Sequence, residues 1–327
     1  MRRALLFIII TFIISQAVTV GAEEIVLTLD EAIQIALRDN RDMLLKAEEV
    51  KKAKLKISEA QAGLYPTLTF TGGWKDTRDF YPEKNLGQTT TQFTLKQYLY
   101  RGGKTVNSIA QNQDKLSVSR ALKDQARIEL ILNVQKAFNL LLLAEKFAEL
   151  NKGILDNSVM HLDFMQAKFQ NGEASESDIL RIKESLASVE EAYAASVNQA
   201  ESSRALLRNL LYFEERILIK PHGQFTYEPK ELAYDEAFLK AMQSRPEIRQ
   251  YEAQAMADQK AIAIAKADNR PSIYASWDYY SASTTTATFS PSKAWQDYSI
   301  IGITFSWPIF DGWATKAKVE QAIVDLK

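Results

Sequence analysis

The 327-residue chain contains no cysteine, only 2 histidines, 12 glycines and 8 prolines. Without cysteine there is no disulfide staple, no thiol nucleophile and no cysteine-type metal site. His161 and His222 leave little acid–base machinery near neutral pH, and their sequence contexts do not suggest a shared metal. No Ser/His/Asp order or paired-carboxylate arrangement stands out, so neither enzymatic activity nor a cofactor is expected. Gly103-Lys104-Thr105 resembles the end of a phosphate-binding loop, but that motif needs glycine at the position held by Tyr98. Charge of one sign is lacking too: 40 Lys+Arg oppose 41 Asp+Glu, which leaves no global basic field and makes nucleic acid an unexpected partner. The scarcity of glycine and proline points instead to long helices that are rarely interrupted.

Long hydrophobic runs are confined to the start. Arg2 and Arg3 precede an apolar run over residues 4–14, and Val20-Gly21-Ala22 ends just before Glu23-Glu24, the pattern of a secretory signal peptide over residues 1–22. An uncleaved anchor is the alternative, but residues 4–20 supply only 17 positions where a span needs about 20. With no cysteine after the signal, a lipid anchor on a mature N-terminal cysteine is excluded. Beyond residue 22 no stretch approaches 18 apolar residues without charge, so membrane insertion of the mature chain is expected as β-structure.

What the sequence does contain is a repeat. A shift of 205 residues lays Leu27-Thr28-Leu29-Asp30-Glu31-Ala32 on Leu232-Ala233-Tyr234-Asp235-Glu236-Ala237, and then matches Ala36 to Ala241, Ala60 to Ala265 and Pro66 to Pro271. A shift of 210 lays Leu99-Tyr100-Arg101-Gly102 on Ile309-Phe310-Asp311-Gly312. Each copy reads helix, strand, loop, strand, helix. Residues 28–63 are expected as one opening helix, with Ala36, Met43, Val50 and Ile57 seven apart, ended by Gly63 and Tyr65-Pro66. Leu68, Phe70 and Trp74 then alternate with threonines, as do Phe93 and Leu95 with Thr94 and Lys96. The second copy alternates Ile273, Ala275, Trp277 and Tyr279 with Ser276 and Asp278, and Ile301, Ile303 and Phe305 with Thr304 and Ser306. This is apolar-out, polar-in strand patterning with aromatic residues near the strand ends.

Between the copies, residues 104–170 lack proline and repeat apolar residues every seven positions at Val134, Leu141, Ala148, Leu155, Leu162 and Phe169. Asn171-Gly172 stops this helix, Ser175 with Asp178 restarts one by capping, and a return helix runs to about Leu211.

These pieces resemble the TolC family of outer-membrane efflux and secretion channels across essentially the whole mature chain. The resemblance rests on Leu27-Thr28-Leu29-Asp30-Glu31-Ala32, Leu64-Tyr65-Pro66, Leu99-Tyr100-Arg101-Gly102-Gly103-Lys104, Phe169-Gln170-Asn171-Gly172 with Asp178, and Phe305-Ser306-Trp307-Pro308-Ile309-Phe310-Asp311-Gly312, in that order. It implies a mainly α fold with membrane β-strands: coiled-coil helices forming an α-barrel, and four strands per protomer contributing to a trimeric, 12-stranded outer-membrane β-barrel. Strand arithmetic agrees, because four strands cannot close without edges, eight give a filled interior, and three chains are the smallest number with an open lumen. The implied setting is the outer membrane, in contact with its lipid, with a helical tunnel in the periplasm. The implied function is a passive conduit of a tripartite efflux or type I secretion system. Its partners would be a periplasmic adaptor and an inner-membrane pump.

Residues 23–220 are expected as the first repeat and 221–327 as the second. The second lacks its long helix, tip and return helix, so the sequence reads as a fragment of a longer protein, a natural short form being the alternative. In the family the tip turn constricts the entrance and meets the adaptor through a Val-Gly-Leu-x-x-x-Thr-like stretch. Gly172 and Ser177 fit it, while Asn171 and Glu173 replace its apolar flanks. Gly172, Glu173 and Ser177 are thus the expected adaptor contacts. Glu173, Glu176 and Asp178 are the expected entrance charges, a local negative field favouring cations, or else the residues of an ordinary capped helix start. A periplasmic adaptor would need soluble β-domains and a coiled-coil structural protein would need no lipid-facing strands; the alternating strands favour a channel. The transported substrate is not legible, because specificity lies largely with the pump.

Overall fold

The computed structural model describes residues 24–77, 86–225, 229, 233–285 and 295–327. The expected signal peptide and much of both interstrand loops lie outside the described residues. Chain order is β1 (Glu24–Leu27), α1 (Leu29–Asp39), α2 (Arg41–Ala62), β2 (Thr67–Thr77), β3 (Leu86–Arg101), α3 (Lys104–Gln170), α4 (Glu176–Leu211), β4 (Leu218–Pro221), α5 (Tyr234–Ser244), α6 (Pro246–Ala267), β5 (Ser272–Thr285), β6 (Gln296–Ser306) and α7 (Ala314–Leu326). Two compact units share these elements: one holds the described parts of residues 1–44 and 126–231, the other those of 45–125 and 232–327. Among the described residues, no helix is long and apolar enough to cross a membrane.

The first unit is built around the tip-side part of α3 and its return helix. Thr28 opens α1 with a reciprocal cap: its backbone N–H donates to Glu31 Oε2 at 2.8 Å, and the Glu31 N–H donates to Thr28 Oγ1 at 3.4 Å. The seven-residue pattern of α3 then finds its partners, since Val134, Ala137, Phe138 and Leu141 are buried with Leu207 and Leu211 of α4, Ala32 and Ala36 of α1, and Ile219 of β4. β1 and β4 form a short parallel pair, Ile25 facing Ile219, that lies against this cluster. Arg204, buried on α4, ties the layers together. Its Nη2 donates to Glu145 Oε1 at 2.7 Å, its Nε donates to the Ile219 carbonyl at 3.0 Å, and Nη1 holds Glu201.

One expectation is corrected here. The opening helix is not continuous from residue 28 to 63, because it breaks at Asn40 into α1 and α2. Asn40 is buried and leaves the helical conformation (φ −66°, ψ 125°); its Oδ1 accepts from the N–H groups of Asp42 at 2.9 Å and Met43 at 3.3 Å, and its Nδ2 donates to the Leu210 carbonyl at 3.4 Å. The side chain therefore caps a new helix while satisfying an end carbonyl of α4. The second copy breaks at the same place: Arg245 takes φ −68°, ψ 125°, and Pro246 starts α6. The paired helices match in length, 11 residues for α1 and α5 and 22 for α2 and α6.

In the second unit, the first turns of α3 pack against α6 through small residues. Ala253 and Ala257 are buried, Gln111 Nε2 donates to the Ala257 carbonyl at 3.3 Å, and Arg249 pairs with Asp124 at 3.3 Å. Lys104 starts α3 and pairs with Asp268 at 2.5 Å, consistent with a helix start and not a phosphate loop. The strands form one antiparallel sheet in the order β2-β3-β5-β6. Turns leading out of the sheet use the left-handed region: Gly102 at φ 62° and Gly103 at φ 84° after β3, Gly312 at φ 66° and Trp313 at φ 69° after β6. The 210-residue correspondence therefore extends to backbone conformation, with Trp313 standing where the first copy uses glycine.

Candidate functional site

The turn between α3 and α4 brings all five expected site residues together. Helix α3 ends in a paired-bond reversal: the Gly172 N–H donates to the Phe169 carbonyl at 3.0 Å and the Glu173 N–H to the Lys168 carbonyl at 2.9 Å. This geometry needs a left-handed residue, and Gly172 supplies it at φ 78°. A Cβ built on Gly172 meets nothing within 4 Å. Glycine is therefore required by the backbone and not by crowding.

Helix α4 restarts on Ser175. The Ser175 N–H donates to Asp178 Oδ2 at 3.1 Å, the Asp178 N–H donates to Ser175 Oγ at 3.3 Å, and Ser175 Oγ lies 2.9 Å from Ser177 Oγ. Hydrogen bonds from the Ser175 side chain and backbone hold the Asp178 carboxyl below its ordinary range. Asp178 is thus committed to the cap, and the two readings of the acidic cluster divide. Glu173 and Glu176 are exposed and carry no ion pair among the described residues. Their charge faces solvent.

The four-stranded sheet is the other functional element, and it is amphipathic in an unusual sense. Leu68, Phe70, Trp74, Phe93, Leu95, Trp277, Ile301, Ile303 and Phe305 share one face by register, and all are exposed, Ile301 at 81% and Ile303 at 73%. The opposite face carries Gln92 and Thr94, both hydrogen-bonded to Asp278, and Lys96, stacked on Tyr274 and Tyr98. A soluble protein covers an apolar face of this size. Lipid accepts it uncovered, provided the strand edges are closed.

The family model for the outer membrane efflux protein matches residues 32–211 and 239–327. The chain belongs to the outer membrane efflux protein family. Solved structures share its fold at low identity. CusC, whose crystal structures concern folding and transmembrane channel formation, is 19% identical over 91% of this chain and 69% of that chain, with a TM-score of 0.76. The Campylobacter jejuni CmeC outer membrane channel is 17% identical over 91% of this chain and 65% of that chain, at 0.73. The open-state Neisseria gonorrhoeae MtrE outer membrane channel is 19% identical over 91% and 67%, at 0.70. No curated protein matches the sequence. Like other members of the efflux protein family, this chain is a channel component, and its resemblance to TolC-type channels holds.

Within this efflux protein, three features had no clear signal in the strand and helix patterns. Asn40 escaped because asparagine is a weak breaker, although Pro246, one residue beyond its counterpart Arg245 in the second copy, marks the same boundary. The Glu145–Arg204–Glu201 cluster joins residues far apart on two helices. The third is an irregularity in β3, where the pairing passes from Tyr98↔Tyr274 to Tyr100↔Ile273 and leaves Leu99 as an extra residue.

Proposed function

We propose that the chain belongs to one protomer of a trimeric outer-membrane conduit, exported by a signal peptide over residues 1–22, and built from a first structural repeat at 23–220 and an incomplete second one at 221–327. The observation that carries this reading is the sheet. Its apolar face is exposed, its opposite face is polar, and among the described residues β2 and β6 each leave one edge unpaired. Strand directions alternate across the sheet, so β6 of one copy meets β2 of the next antiparallel, and a head-to-tail arrangement of three copies closes twelve strands without an edge. Solutes then pass by diffusion, the chain contributing a wall and no chemistry or cofactor.

At the tip, Gly172, Glu173 and Ser177 offer a turn for a periplasmic adaptor that connects to an inner-membrane pump. Glu173 and Glu176 set a negative field at the entrance, and Asp178 holds the helix start that presents them. The contact is more polar than an apolar tip provides, because Glu173 stands on its surface.

Ile303→Asp tests the membrane assignment. Ile303 is 73% exposed, so in a water-soluble sheet the change costs within about 0.5 kcal/mol. Facing lipid, an aspartate costs less than the ~2–4 kcal/mol that lysine or arginine costs at the bilayer midplane, but the cost is repeated in every copy of the barrel. The expected outcome is loss of heat-resistant trimers from the outer-membrane fraction; undiminished trimers would refute the lipid-facing assignment.

A further inference from the structure

The polar face of the sheet carries a cluster that the tip does not explain. Lys96 Nζ lies 3.8 Å from the ring centroid of Tyr274 and 4.7 Å from that of Tyr98, and the Arg101 guanidinium carbon lies 4.5 Å from the Tyr98 ring. The two rings meet edge to face at 5.6 Å. Arg101 reaches this face only because of the extra residue at Leu99. Without it, strand alternation would place Tyr100 opposite Ser272; with it, Arg101 pairs with Ser272, on the same side as Tyr98 and Tyr274. A bulge that turns a cation onto the polar wall, and aromatic faces that hold two cations there, are costly if the positions are merely solvated.

The nearest acid does not neutralise them. Asp278 lies one layer away, opposite Thr94, and is engaged by Thr94 Oγ1 at 2.6 Å and Gln92 Nε2 at 3.1 Å, both neutral donors. Neither cation has an ion-pair partner among the described residues, and their contacts are the tyrosine rings. Rings attract cations through their quadrupole and leave the net charge in place. The stretch therefore carries two positive charges against one negative.

We propose that Lys96 and Arg101, held on Tyr98 and Tyr274, form a basic girdle on the inner wall of the barrel that favours anionic solutes in transit. This rests on the trimeric-barrel reading above. Three copies place six cations and three Asp278 carboxylates on this stretch of the lumen, and three net unit charges ~10 Å from a passing ion, attenuated by about one Debye length at 0.1 M salt, together raise the local concentration of a monovalent anion about twofold. The girdle opposes in sign the acidic tip.

The test is the reversal potential of purified protein in planar bilayers under a potassium chloride gradient. K96Q/R101Q removes six charges, which lowers the anion and raises the cation about fivefold each, so the chloride-to-potassium permeability ratio is expected to fall about twentyfold at 0.1 M salt, with a smaller change at 1 M. Because the chain has no cysteine, Ser276→Cys adds a single thiol directly across from Lys96. A sulfonate-bearing methanethiosulfonate should modify it several-fold faster than a trimethylammonium one, and adding K96Q should abolish that preference. This second readout decides the matter if K96Q/R101Q fails to assemble. Conducting channels with unchanged selectivity and equal modification rates would overturn the girdle while leaving the barrel intact. Wild-type protein that forms no conducting trimer would overturn both.

Discussion

Gly172 offers the sharpest test of how the tip is built. Its φ of 78° lies in the left-handed region, yet an added Cβ has no neighbour within 4 Å. Substitution therefore costs conformational energy alone, with no steric clash to confuse the result. The left-handed penalty is ~1–2 kcal/mol for an L-residue, least for asparagine and greatest for a β-branched side chain. A loss of ~1.4 kcal/mol in local opening corresponds to about tenfold faster exchange of the amides it protects. Those amides are known: Gly172 and Glu173 donate to Phe169 and Lys168. In hydrogen-exchange measurements on assembled protein, the tip segment should lose little protection in Gly172→Asn, several-fold in Gly172→Ala and tenfold or more in Gly172→Val. Export should fall in the same order while trimers persist. Equal protection across the series would show that the reversal does not depend on a left-handed residue, and the argument would fail.

Two other outcomes follow from the polar clusters. Glu173→Gln with Glu176→Gln should lower cation preference in bilayer conductance while leaving tip exchange unchanged, since neither side chain makes a cap hydrogen bond among the described residues; unaltered selectivity would return both to ordinary surface residues. Asp178→Asn should act on the cap instead. Its carboxyl is held below the unfolded value of about 3.9, so its stabilisation is complete above that pH and is lost as pH falls through the depressed folded value. Tip protection in the wild type should decline at acid pH, and in Asp178→Asn that dependence should vanish. Arg204→Met removes a guanidinium whose side chain is 10% exposed from Glu145 at 27% and Glu201 at 59%, so the cost should approach but not reach that of a fully buried pair, ~2–3 kcal/mol, seen as a lowered thermal midpoint.

The sequence disclosed the elements whose rules are local. The absence of proline and the heptad predict α3 at Lys104–Gln170, and Asn171-Gly172 followed by Ser175 and Asp178 predicts both the stop and the restart. Alternation identifies the faces of all four sheet strands because a period of two survives short segments. What escaped depends on distant partners. The β1–β4 pair is four residues long and joins Glu24 to Leu218, a parallel match no local pattern encodes. Asn40 breaks a helix through bonds that include the Leu210 carbonyl, 170 residues away. At the site, the sequence placed the acids together but not their division, which appears only once Asp178 is seen bonded to Ser175.

The unpaired edges of β2 and β6 have a kinetic consequence. In the proposed trimer, a protomer whose sheet has formed still presents, among the described residues, the outer edges of β2 and β6 and an uncovered apolar face. If three copies close the barrel as proposed, three such encounters must succeed before any one edge finds a stray strand, which makes the yield of rings depend steeply on local protomer density. Lipid that gathers protomers side by side would act as a concentrating surface. Dilution, in the same terms, would divert the chain toward edge-to-edge aggregates long before it lowered the stability of a finished ring.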